Sequence, residues 1–218
     1  MIDSSSDSEA NADGLYVQFG AGHSASEHWL SFDNSPTLRL ERLPVIGRFV
    51  RKNARRFPSA VQYGDIVQGL PLEPESCRAL FGSHVLEHLA LIDFRKALAN
   101  CYLLARKDCI VRLVVPDLEF AARSYLGNAS EEASLQFMRQ TGLGQEKRAR
   151  GFGAILREYW GNSRHLWMWD YASLASELRK VGFTRIRRCQ FGDSSDPKFQ
   201  LVETQDRFEE ALAIEAIK

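Results

Sequence analysis

The chain has 218 residues, 44% of them hydrophobic, with 28 basic and 28 acidic side chains. That length and apolar content support one large folded domain and leave too little for two. The balanced charge excludes a global field that would recruit nucleic acid or membrane, so any such contact needs a local patch.

Cys77, Cys101, Cys109 and Cys189 are scattered without a CxxC pair, which argues for reduced thiols against a zinc knuckle or a secreted disulfide framework. Residues 1–14 are rich in Ser, Asp and Asn and lack the basic and apolar regions of a signal peptide, and no later run could span a bilayer. The expectation is a disordered leader on a cytoplasmic protein, with a single domain over 15–218.

Leu15–Phe19 is a short apolar run of β-formers leading into Gly20-Ala-Gly22, where glycines permit a tight turn and close backbone approach to a ligand. Trp29–Phe32 reads as a second strand ending on Asp33. A glycine loop followed by a carboxylate at a strand end is how a nucleoside is commonly held, although the same glycines also serve a bare turn. Residues 37–57 alternate apolar and basic side chains around Pro44 and Gly47, predicting two short helices. Their basic face is either solvated or a surface for peripheral membrane contact or a phosphorylated acceptor.

Ala60–Tyr63 is a third strand ending at Gly64-Asp65-Ile66, where Asp65 could accept from an exocyclic amine or cap a turn. The next apolar run ends at Phe81-Gly-Ser83-His84-Val-Leu-Glu87-His88-Leu89, and residues 89–104 have helical spacing. Cys109–Val115 is nearly continuous and β-branched, as for a strand buried on both faces. Residues 118–160 are helical in character but broken by glycines, suggesting a lid insertion above the ligand edge. Tyr171 to Gly182 is a helix capped by the glycine, Thr184–Phe191 a strand. Ala211–Ile217 has helical propensity, but the preceding βα unit and the need to complete the sheet favour a strand. This order describes an α/β, doubly wound, mostly parallel sheet.

The Gly20–Gly22 loop, Asp33, Gly64-Asp65-Ile66, Ser83–His88 and Val114-Val-Pro-Asp117 together resemble class I S-adenosylmethionine-dependent methyltransferases, from about Leu15 to the C-terminus. The likeness is nearest to small predicted bacterial methyltransferases of the type 11 group, which share SHVLEHL, VVPDLE and HxWMxD stretches, the last being His165–Asp170 here. The resemblance implies a Rossmann-like seven-stranded sheet with a reversed strand at its end and S-adenosyl-L-methionine over strands one, two and four. By position, Gly20 and Gly22 would lie under the methionine part and Asp33 would take the ribose. Asp65 and Ile66 would hold adenine, and Ser83 and His84 would face the sulfonium. Gln18 stands where the family carries an acid in its first strand, removing one way to orient the cofactor's ammonium.

Methyl transfer asks the protein to align donor and acceptor, exclude water and remove a proton, so His84 and His165 are the candidate bases. Trp160, Trp167 and Trp169 are candidates to line an acceptor pocket or simply to fill the core. The acceptor is expected to be a small molecule or a glycan-type or phosphorylated intermediate, and a catalytically inactive binding module of the same fold is the alternative. His84-x-x-Glu87-His88 also fits a zinc-peptidase spacing, but it follows a strand in a serial βα pattern and needs a third ligand elsewhere, so no metal is assigned. A nicotinamide-dependent oxidoreductase would need a GxGxxG that the residues after Gly22 do not supply.

Overall fold

The computed structural model of the chain describes residues 14–44, 56–146 and 164–218. Residues 1–13 of the expected leader, residues 45–55 of the basic segment, and residues 147–163, with Trp160 and the end of the expected lid, lie outside them. The strands are β1 (Leu15–Phe19), β2 (Leu30–Asp33), β3 (Val61–Tyr63), β4 (Cys77–Ser83), β5 (Ala105–Pro116), β6 (Thr184–Arg188) and β7 (Ala211–Ile217). They form one sheet in the order β3-β2-β1-β4-β5-β7-β6. Pairing is parallel from β3 to β5, while β7 runs antiparallel to both β5 and β6. The segment with helical propensity at the C-terminus is therefore a strand, because it alternates between two buried faces and is paired along both edges.

The helices are α1 (Pro36–Glu41), α2 (Leu91–Leu104), α3 (Leu118–Gly127), α4 (Ala133–Gln140) and α5 (Tyr171–Val181). α5 starts at Asp170, whose side chain accepts from the Ser173 amide at 2.7 Å, and stops at Gly182 with φ 119°. On one face of the sheet Val17, Phe19, Leu80 and Leu113 pack against Phe94 and Leu98 of α2 and Leu174 and Leu178 of α5. The two helices are also joined by Arg95, which donates two hydrogen bonds to the Glu177 carboxylate at 2.8 and 3.0 Å. Hydrogen bonds from Arg95 and then Lys180 pull that carboxyl down to about 2, against the opposing effect of burial.

Among the described residues no α-helix covers the middle of the sheet's second face. The second face, with Tyr16, Trp29, Phe81 and Val114, packs against Phe199 and Val202 from the β6–β7 connection, which contains only 3₁₀ turns at Pro197–Leu201 and Gln205–Arg207. Nor does a helix follow β1, since residues 20–29 make turns only. A charge also lies in the strand that the pattern marks as most apolar. Arg112 of β5 points to this second face, fully buried, and a guanidinium there must be met by acceptors.

Arg112 Nε donates to Glu203 at 2.6 Å, Nη1 to Glu215 at 2.7 Å and Asp193 at 3.0 Å, and Nη2 to the Gln190 carbonyl at 2.9 Å. Arg187 adds hydrogen bonds to Glu215 and Asp193, and the second Glu203 oxygen accepts from the Gly192 amide at 3.0 Å. Burial alone would lower the Arg112 pKa, but its thiol and carboxylate neighbours outweigh it and the group stays charged. The β6–β7 connection is thereby tied to the sheet at three points, Gln190, Asp193 and Glu203. All four cysteines are buried and free, as the composition led us to expect, and burial pushes the Cys77 thiol up to about 11.

Replacing Arg112 by Leu leaves buried Glu203 with only the Gly192 amide and Glu215 with only Arg187. Urea unfolding of Arg112→Leu is expected to show a loss of about 3–5 kcal/mol, because breaking a buried ion pair from one side is costlier than its net worth. A loss under about 1 kcal/mol would mean that the network does not hold the connection.

Candidate functional site

The carboxyl ends of β1, β2, β4 and β5 meet at one edge, where open α/β sheets take their ligands. Gly20 leaves β1 at φ 64°, and a Cβ there would lie 1.9 Å from Val85 Cγ2. This position needs glycine for both conformation and space. Gly22 also has positive φ, at 56°, but a Cβ there would meet nothing within 4 Å, so its surface is open to a ligand. The Gly22 amide donates to Asp33 Oδ2 at 2.9 Å, and Asp33 Oδ1 accepts from the Ser35 amide at 2.8 Å. Asp33 is buried and holds the two loops together, with one further lone pair on each oxygen. Gln18 donates to Ser31 Oγ at 2.7 Å and to the Ser24 carbonyl at 3.2 Å, so it braces the loop from below.

Ser83 ends β4 with a buried hydroxyl that has no hydrogen-bond partner. It lines a cavity of about 60 Å³ together with Gly20, Ala21 and Ser24 on one side and Thr204 and Arg207 on the other. His84 extends the ladder by donating its amide to the Val114 carbonyl at 2.8 Å, then turns at φ 52°, a conformation non-glycine residues rarely adopt. Its Nε2 is 2.9 Å from the Arg207 carbonyl. A carbonyl only accepts, so Nε2 carries the proton there. Burial lowers the His84 pKa, but the Glu87 carboxylate and that carbonyl outweigh it, leaving the imidazole above its ordinary value. Ser83 and His84 therefore line different cavities, for His84 opens onto a second one of about 190 Å³ that it shares with Asp117, His165, Glu209 and Glu210.

The structure thus brings together Gly20, Gly22, Asp33, Ser83, His84 and His165 along one edge. Asp65 sits at the end of β3 and caps the next turn, accepting from the Val67 amide at 2.9 Å and Gln68 Nε2 at 3.2 Å. Ile66 is buried in the core and its carbonyl accepts from Asn100 at 2.8 Å. Neither is among the residues lining the two cavities. Trp169 is also core, with its ring 4.2 Å from that of Phe94, whereas Trp167 is 41% exposed.

Glu87 and His88 do not begin the helix. They form a separate 3₁₀ turn (Leu86–His88), and α2 starts at Leu91 after an extended Leu89. Sequence patterns alone do not reveal Thr204 and Arg207, which close the cavity from about 120 residues away in the chain. Their one advance signal is Arg112, a charge inside the otherwise apolar run Cys109–Val115.

The two loop glycines should respond differently to a methyl group. By urea denaturation Gly22→Ala is expected to cost about 1 kcal/mol for its positive φ, and Gly20→Ala about 2–4 kcal/mol because overpacking against Val85 adds to the same strain. Equal costs would contradict the close approach at Gly20.

No family model matches the sequence, and no curated protein does. Solved structures share the fold. A SAM-dependent methyltransferase from Thermotoga maritima aligns with a TM-score of 0.50 at 16% identity, over 94% of this chain and 82% of that one. Another, from Archaeoglobus fulgidus, aligns with a TM-score of 0.49 at 13% identity, over 98% and 90%. At such identities the first likeness shows the fold alone. The sheet order with its reversed strand and the α/β layering are those of the methyltransferase fold.

Proposed function

We propose that the chain is an S-adenosyl-L-methionine-dependent methyltransferase whose donor site lies under Thr204 and Arg207 and whose acceptor site is the adjoining cavity of about 190 Å³. The observation that carries this reading is the buried, unpartnered hydroxyl of Ser83, a residue lining a cavity floored by the Gly20 loop on the ligand edge of this sheet. The residues suit the cofactor in kind. Gly22 allows close approach, Asp33 keeps lone pairs for hydroxyl groups, and Ser83 offers a donor and acceptor with no other use. The volume suits it only in part, because nucleoside-sized ligands need roughly 300 Å³ or more. Binding therefore requires the 202–207 stretch to move outward from Gly20 and Ser83.

Bound there, the cofactor would supply an electrophilic methyl group. This chain's residues would align the acceptor and take up its proton, a task for which His84 and His165 line the neighbouring cavity. The lining also bears on the acceptor. Asp117, Glu209 and Glu210 make it acidic, although Arg188 pairs with Asp117 at 2.8 Å. A neutral hydroxyl or an amine suits that surface better than the anionic acceptor suggested by the arginine-rich segments. Adenine recognition by Asp65 and Ile66 remains part of the proposal only through their backbone, given how their side chains are engaged.

Calorimetry with S-adenosylhomocysteine is expected to show one site per chain. Ser83→Ala should weaken it about 3–10-fold, the worth of one hydrogen bond, and Asp33→Ala by more, since it also releases the Gly22 loop. No binding by the folded protein would overturn the reading.

A further inference from the structure

Among the described residues, Glu87, His88 and His165 each offer a ligand atom, and these atoms lie within 4.8 Å of one another. Glu87 decides what the cluster is for. Its side chain is 1% exposed, and neither carboxylate oxygen has a hydrogen-bond partner. A carboxylate removed from water without partners is a large cost unless a positive charge meets it. Among the described residues no lysine or arginine pairs with it. The imidazole nitrogens beside it are His84 Nδ1 at 3.5 Å and His88 Nε2 at 3.8 Å, both approaching Oε1.

The imidazoles are held by their other nitrogens. His88 Nδ1 is 2.8 Å from the Arg164 carbonyl and His165 Nδ1 is 2.7 Å from the Thr141 carbonyl. Because a carbonyl can only accept, each Nδ1 is the protonated one, and each Nε2 is left with its lone pair. A backbone carbonyl that fixes the tautomer and ring direction is the usual outer support of a metal-binding histidine. The two rings lie 5.0 Å apart between centroids at 60°, so they approach the same space from different directions. The main chain supports the arrangement, since the Glu87 carbonyl accepts from the amides of Leu166 at 2.7 Å and Trp167 at 3.1 Å. Gly142, at φ 63°, leaves room for His165, whose Nδ1 would be 2.7 Å from any Cβ placed there.

We infer that Glu87, His88 and His165 form a binding site for one divalent transition-metal cation, open on the side of the cavity of about 190 Å³ that His165 lines. Two neutral imidazoles and one carboxylate form a donor set that zinc or manganese accepts, with positions left for water or a substrate oxygen. Ligand atoms around a tetrahedral zinc stand about 3.3 Å apart, so closing the observed separations takes side-chain adjustments of ångström scale. The zinc-peptidase reading of the sequence paired His84 with His88. The geometry replaces His84 by His165, 77 positions after His88, and sends His84 to the Arg207 carbonyl. Resting on the methyltransferase reading, the cation would hold an acceptor hydroxyl beside the donor site, with His165 as its ligand in place of a base.

The test titrates chelator-treated protein with Zn²⁺ and with Mn²⁺ by calorimetry, and follows thermal unfolding with and without each ion. Wild type should bind one ion per chain and gain several degrees in melting temperature. His165→Ala and Glu87→Gln should each weaken binding at least tenfold and lose the gain. Glu87→Gln also removes a buried charge, so its ion-free melting temperature should equal or exceed that of wild type, which shows that it folds. Folded wild type that binds neither ion, or variants that bind as wild type does, would overturn the site. S-adenosylhomocysteine binding in the same samples separates the two readings. Its retention without ion binding removes the metal site alone, and ion binding without it leaves the metal site standing while removing the methyltransferase reading.

Discussion

One buried charge sets the form of this molecule. Arg112 lies in the middle of β5, where a hydrophobic residue would be the cheaper occupant, and the carboxylates of Glu203, Glu215 and Asp193 converge on it. A network of this kind stabilises little over an apolar core, but it is unforgiving about geometry. Its effect here is to fix where the β6–β7 connection goes. Held at Gln190, Asp193 and Glu203, the connection covers the second face of the sheet and brings Thr204 and Arg207 over the ends of β1 and β4. The same anchoring places the Arg207 carbonyl against His84, so a strand-centre arginine and a strand-end histidine are linked through one stretch of chain.

Two consequences meet at Ser83 and His84. Ser83 lines the smaller cavity under the connection, and His84 lines the larger one beside it. The positive φ at His84 is what separates neighbouring side chains so sharply, a strained conformation of the sort that gathers at functional sites. Beyond it, Glu87 sits in a 3₁₀ turn rather than a helix, which turns its carboxylate inward instead of toward solvent at a helix start. The inward carboxylate and the two carbonyl-anchored imidazoles together make the cation proposal, and they lie on the acceptor side, away from the Gly20 loop.

Much of the fold was legible because parallel strands buried on both faces announce themselves by composition. Val114 and Val115 are continuous with an apolar run, and Gly182 marks a helix end. The C-terminal strand was legible only from its place in a βα series, since Ala211–Ile217 has the propensity of a helix. At the candidate site the local features were legible, namely the turn at Gly20 and Gly22 and the strand-end positions of Asp33 and Ser83. Roles set by distant partners were not. Ile66 beside a strand end reads the same whether it meets a ring or the core, and only the packed structure places it in the core. His165 and His88 stand 77 positions apart, with a helix, a strand and two more helices between them among the described residues, so no spacing rule pairs them. The setting of Arg112 was hidden for the same reason, because the carboxylates that meet it stand 81–103 residues further along the chain.

The central claim is that ligands enter where the Arg112-anchored connection closes over the ends of β1 and β4. Amide hydrogen exchange with and without saturating S-adenosylhomocysteine tests it most directly. The account predicts changed exchange confined to residues 20–24, 83–88 and 202–207, with the edge strand β3 and helix α5 unaffected. Unchanged exchange at 202–207, or changes concentrated away from the ends of β1 and β4, would contradict it.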